Sequence, residues 1–180
     1  GTPITTANTE DLSIRLRNAE NRRGTITIAA PVDFGRNDLL LEADTIRLNA
    51  SVTADTLALC ATQLLRPDAT LPADGNTDGA PVLLTAHQLH IQGDNGIGTA
   101  NAPLLIDAYA LEAATLGAAD IHLVEANGLH ITHFDTEILG TDDTIGGLTT
   151  QAGGDIHLTN LAGTLHVDET YNTPKRDTRA

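Results

Sequence analysis

The chain has 180 residues, 41% of them apolar, enough to build one sizeable domain around a real core. Its only aromatic residues are Phe34, Tyr109, Phe134 and Tyr171, with no Trp and no Met, which excludes a core filled by bulky rings and favours thin layers of Leu, Ile, Val and Ala. A formal net charge of −14 excludes nucleic acid and anionic membrane as electrostatic partners, and suits either solubility in a secreted or salt-rich setting or multivalent cation binding.

Residues 1–10 read as a polar tail, and 11–172 as a single domain. Gly1-Thr2-Pro3 begins without an initiator Met and without a signal peptide, as expected of a piece of something longer. No apolar run is long enough for membrane insertion.

The domain opens on short alternating segments. Thr25-Ile26-Thr27-Ile28, Thr45-Ile46-Arg47-Leu48 and Thr56-Leu57-Ala58-Leu59 each place two apolar residues around a middle one. In a strand the two apolar side chains share one face and the middle one points away. Cys60, the only cysteine, follows directly; it cannot form an intrachain disulfide and reads as a small buried hydrophobe.

Residues 66–81 hold three prolines, two glycines and three aspartates, and read as a loop inserted into the domain. Within it Asp74-Gly75-Asn76-Thr77-Asp78-Gly79 fits the first half of a calcium loop, with the glycine allowing the bend. Asp74, Asn76 and Asp78 are thus candidate calcium ligands. Thr85 stands where the bidentate Glu is needed, so Asp68 or a neighbouring coil would have to complete the site. The alternative is a solvated Asp/Gly turn. No organic cofactor is expected.

Beyond the loop the triplets continue at 88–91, 120–123, 128–131, 155–158 and 164–167. Ala110 to Leu116 has good helix formers but lacks a cap, and reads as strand. Many triplets lie about ten residues apart, too close for a crossover helix, which leaves antiparallel hairpins or a solenoid. An internal repeat favours the solenoid: Asp120-Ile121-His122-Leu123 recurs as Asp155-Ile156-His157-Leu158, and Leu129-His130-Ile131 as Leu165-His166-Val167. These offsets exceed one coil of ~20 residues, so extra loop or coil is expected around 134–151. Residues 173–180 form a second polar tail.

Residues 96–131 carry a recognisable pattern: Gly96-x-Gly98-Thr99, Pro103-Leu104, Leu111-x-Ala113-x-Thr115, the small-residue turn at Gly117, Ile121-x-Leu123 and Gly128-Leu129-x-Ile131, with an echo over 149–167. This resembles the repeat regions of filamentous-haemagglutinin-like and other very large bacterial surface proteins. The resemblance implies a right-handed parallel β-helix on a secreted or cell-surface bacterial protein with an adhesive role, and transfers no catalytic residue. The Asn-rich secretion-domain motifs of such proteins are missing, so the likeness is to an internal or downstream segment.

Five of seven histidines (His90, His122, His130, His157, His166) occupy triplet middles and should point to solvent. If coils stack in register they form ladders, which could share a metal ion or respond to pH near the histidine value of about 6.5. Asn127-Gly128 and Asn160 read as structural turn residues.

The fold expected is therefore all-β, a right-handed parallel β-helix, with an antiparallel β-sandwich as the alternative. The function expected is a structural and adhesive segment without a catalytic site. Its partners would be a host or neighbouring-cell surface receptor or other protein chains, including self-association through the solenoid ends. The alternative is a carbohydrate-active lyase or hydrolase on the same fold, for which Asp107, Glu112, Asp120 and Glu125 are carboxylate candidates. Against it, no Lys or Arg lies between Pro67 and Pro174, and no Trp offers a sugar platform.

Overall fold

Apolar residues at alternate positions form strands here because two side chains per triplet can be buried at once while the backbone pairs with its neighbours. The computed structural model describes residues 10–17, 22–65, 82–134 and 146–168. Most of the two expected tails and the whole 66–81 segment, with Asp68, Asp74, Asn76 and Asp78, lie outside the described residues.

Among the described residues there are twelve strands: β1 (Leu12–Arg15), β2 (Thr25–Ile28), β3 (Val32–Asp33), β4 (Leu39–Leu48), β5 (Val52–Leu65), β6 (Leu83–Gly93), β7 (Leu104–Thr115), β8 (Ile121–Glu125), β9 (Leu129–Ile131), β10 (Leu148–Thr150), β11 (Ile156–Asn160) and β12 (Leu165–Val167). No helix occurs among the described residues, and Ala110 to Thr115 is strand. Every pairing between these strands is parallel, in a single sheet ordered β1-β4-β5-β6-β7-β8-β11, with the short strands attached at its sides. Parallel pairing rules out the antiparallel sandwich for the described residues.

The registers link inward side chains into columns. One runs Leu12, Leu39, Leu57, Leu89, Leu111, Ile131, Val167. A second runs Ile26, Ile46, Leu64, Ile97, Ile121, Ile156. A third runs Val32, Val52, Leu84, Ile106, Glu125, Asn160. Most members of the first two are completely buried and belong to one apolar core, at about 1.5–3 kcal/mol per buried Leu or Ile.

Direct pairing of Ile121 with Ile156 and of Leu129 with Leu165 makes the two repeat units adjacent layers. No additional coil stands between them. The extra length falls within one layer, where β9 and β10 both pair with β7 and 135–145 intervenes, outside the described residues.

Glycine is required where layers meet closely. Gly98 has φ +65°, and a Cβ there would collide with the His122 carbonyl and lie 2.9 Å from the Leu104 amide. This turn lets Ile97 stack between Leu64 and Ile121. The turn after β7 repeats one layer later: Thr115 Oγ1 donates to the Ala119 carbonyl at 2.9 Å, and Thr150 Oγ1 to the Gly154 carbonyl at 2.7 Å.

Candidate functional site

The outer face of the sheet carries the polar chemistry, and alternation places it there. On it His90 and Glu112 stand side by side in register. His90 Nδ1 lies 2.6 Å from Glu112 Oε1, and both side chains are almost fully buried. His133 Nδ1 approaches the other oxygen, Oε2, at 3.2 Å with its own side chain 45% exposed. One carboxyl group is thus held between two imidazoles, which satisfies the hydrogen-bonding capacity of a buried acid. The expectation that His90 faces solvent is corrected: it points away from the main core, but that part of the outer face is itself covered. Leu40, Ala58 and Cys60 form a second small apolar cluster there, and Cys60 is a buried thiol.

Basic residues of the first layer reach across the same face. Arg22 Nη1 bonds Asp94 Oδ1 at 3.1 Å, Nη2 bonds Gln92 Oε1 at 2.8 Å, and Nε stands 3.7 Å from Glu42 Oε1. Arg15 and Arg17 also approach Glu42, at 3.5 and 3.6 Å. Since Glu42, Cys60 and Gln92 are in register on β4, β5 and β6, Arg22 straps three strands together. Nothing in the sequence announces this strap beyond the cluster of arginines near the start.

The four carboxylates considered for carbohydrate chemistry do not converge. Asp107 Oδ1 accepts from Asn127 Nδ2 at 3.0 Å, and Asp120 Oδ1 accepts from the Asp155 amide at 2.8 Å. Glu112 is committed to histidines. Glu125, fully buried, accepts from the Asn127 amide through Oε1 at 3.1 Å and from the Ala108 amide through Oε2 at 3.3 Å. Burial pushes the Glu125 carboxyl up; the amide bonds hold back part of that shift and the Asp107 charge adds to it. Glu112 and Glu125 are fully buried, so neither carboxylate is open to a substrate in this structure.

The other triplet histidines form ladders. His122 and His157, in register on β8 and β11, stack with ring centroids 4.5 Å apart and planes within 4°. His130 and His166 stack at 4.5 Å, and Tyr109 and His87 extend that line at 4.8 and 4.9 Å. Among the described residues no group of three or more His, Cys, Asp or Glu side chains is arranged to hold a metal ion.

No family model, curated protein or solved structure matches the chain. The reading of its function therefore rests on the geometry and on the repeat pattern in its sequence.

Proposed function

We propose that this chain is a right-handed parallel β-helix segment of a large secreted or cell-surface bacterial protein, with a structural and adhesive role and no catalytic site of its own. The observation that carries this reading is the column of seven inward residues from Leu12 to Val167, linked by parallel pairing alone. A column of that kind extends by repeating one layer, which suits a rod that projects or spaces a binding surface. The likeness of residues 96–131 to surface-adhesin repeats supplies the adhesive half of the reading, and a host or neighbouring-cell receptor is the partner it implies.

The test has two arms. Antibody raised against the chain should label intact bacteria that produce it, and beads coated with the chain should retain target cells above the level of uncoated beads. Labelling only after lysis, together with no retention, would remove the surface-adhesive role and leave a structural rod.

A further inference from the structure

The sequence contains two Asn-Gly pairs, Asn95-Gly96 and Asn127-Gly128. An asparagine loses its side-chain amide most readily before glycine, which leaves the following backbone nitrogen unhindered. Both pairs lie in turns, and in both the asparagine is exposed and the glycine half-buried. Exposure therefore does not separate them. Their hydrogen bonds do.

At the first pair the Gly96 amide donates to the Gly93 carbonyl at 3.4 Å, and the neighbouring Asp94 is held by Arg22. A carbonyl is too weak a base to take a proton from an amide. At the second pair Glu125 Oε1 accepts from the Asn127 amide at 3.1 Å, and the Gly128 amide turns to the same carboxyl group. Asn127 Nδ2 donates to Asp107 Oδ1 at 3.0 Å. One acid thus stands at the nitrogen that would attack and another at the nitrogen that would leave. Asp107 is the charged group that acts on Glu125; β7 and β11 set Ile106 and Asn160, both uncharged, in register with it.

We propose that Asn127 is a self-modifying site, where the Glu125 carboxylate promotes deamidation to aspartate and isoaspartate. Glu125 takes the proton of the Gly128 nitrogen, and that nitrogen attacks Asn127 Cγ. The new C–N bond closes an imide ring, the Cγ–Nδ2 bond breaks, and Nδ2 leaves as ammonia with the proton that Glu125 returns. Water then opens the imide at either carbonyl. One opening gives aspartate; the other gives isoaspartate, which routes the backbone through the side chain.

The site sits where two layers touch. A Cβ on Gly163 would collide with the Asn127 carbonyl, and one on Gly128 would lie 3.1 Å from the Thr164 amide nitrogen. Either product also replaces a donor to Asp107 with a second carboxylate. Deamidation therefore loosens the contact between the β8–β9 layer and the β11–β12 layer.

The experiment is timed incubation of the 180-residue chain at neutral pH and body temperature, with chymotryptic peptide mapping by mass spectrometry. Asn127 should convert several-fold faster than Asn95, and in urea the two rates should converge. E125Q should slow the 127 site several-fold and leave the 95 site unchanged. As pH rises the 127 rate should level off once Glu125 is ionised, whereas the 95 rate climbs with hydroxide throughout; this comparison decides the matter even if E125Q does not fold. Equal rates at the two sites in the folded chain, or an Asn127 intact after weeks, would overturn the proposal. So would faster conversion in E125Q, which would mean that the carboxylate holds the turn against attack. N127D should melt a few degrees below wild type, and an equal melting temperature would remove the loosening of the stack.

Discussion

Glu112 lies 2.6 Å from His90 on the neighbouring strand, and both are buried on a face of the sheet that alternation assigns to solvent. A buried carboxylate is tolerable only while its partners neutralise it and satisfy its oxygens. Glu112→Ala should therefore destabilise the chain by about 3 kcal/mol, since it leaves His90 buried without its acid. The double substitution His90→Leu/Glu112→Leu should recover most of that loss, because an apolar pair of similar size suits the neighbouring Leu40, Ala58 and Cys60 cluster. Denaturant melts of the two single variants and the double variant measure the coupling.

Burial in a shared column should grade the cost of truncation. Ile121 is fully buried and Ile156, its partner in the next layer, is 41% exposed. Ile121→Ala should cost about 2–4 kcal/mol, and Ile156→Ala under about 1 kcal/mol in the monomer. Equal costs would mean that the last layer is as well packed as the one beneath it.

At Gly98 the backbone has φ +65° and the added methyl group would meet the His122 carbonyl. Gly98→Ala should lower stability by at least about 2 kcal/mol, combining the left-handed conformation with displacement of the layer that follows. Gly35 has φ +58° but no atom within 4 Å of a built Cβ, so Gly35→Ala isolates the conformational part and should cost less.

The pH dependence follows from Glu125. Its carboxyl is raised above the ordinary value of 4.5 by burial, so the folded chain holds the proton more tightly than the unfolded chain does. Stability then falls as pH rises from that ordinary value through the folded one, because ionisation is harder in the folded state. Asp38, raised chiefly by its burial, has the same sign. Gln at position 125 does not titrate, so the melting temperature of Glu125→Gln relative to wild type should be higher at pH 8 than at pH 4. A constant difference across that range would mean that Glu125 ionises equally easily in both states.

Much of the fold is written in the triplets. Alternation in Leu57-Ala58-Leu59 or Ile121-His122-Leu123 identifies which side chains face the main core, and the recurrence of Asp-Ile-His-Leu at 120 and 155 marks two residues that stack. Alternation also gives the direction of His90 and Glu112 correctly. It cannot give their burial, because what covers an outer face comes from elsewhere in the chain. The His90 to Glu112 pairing is hidden for a second reason: the distance in sequence from one layer to the next varies. Leu39 pairs with Leu57, Leu57 with Leu89 and Leu89 with Leu111, so no fixed period aligns the polar residues. The histidine ladders were legible only because the local repeat is intact at both sites. The strap of Arg22 over Gln92 and Asp94 left no trace, since long side chains reach across layers without a sequence pattern.

In-register parallel pairing stacks the strands one on another along the Leu12-to-Val167 column. Spin labels at Ser13 and Asp168, in a Cys60→Ala background and at dilute concentration, sit beside the first and last members of the Leu12-to-Val167 column. Six strand spacings of about 4.8 Å separate those ends, so pulsed dipolar spectroscopy should give a single narrow distance near 29 Å. A main distance well under 20 Å, or a broad distribution without a peak, would contradict the stacking.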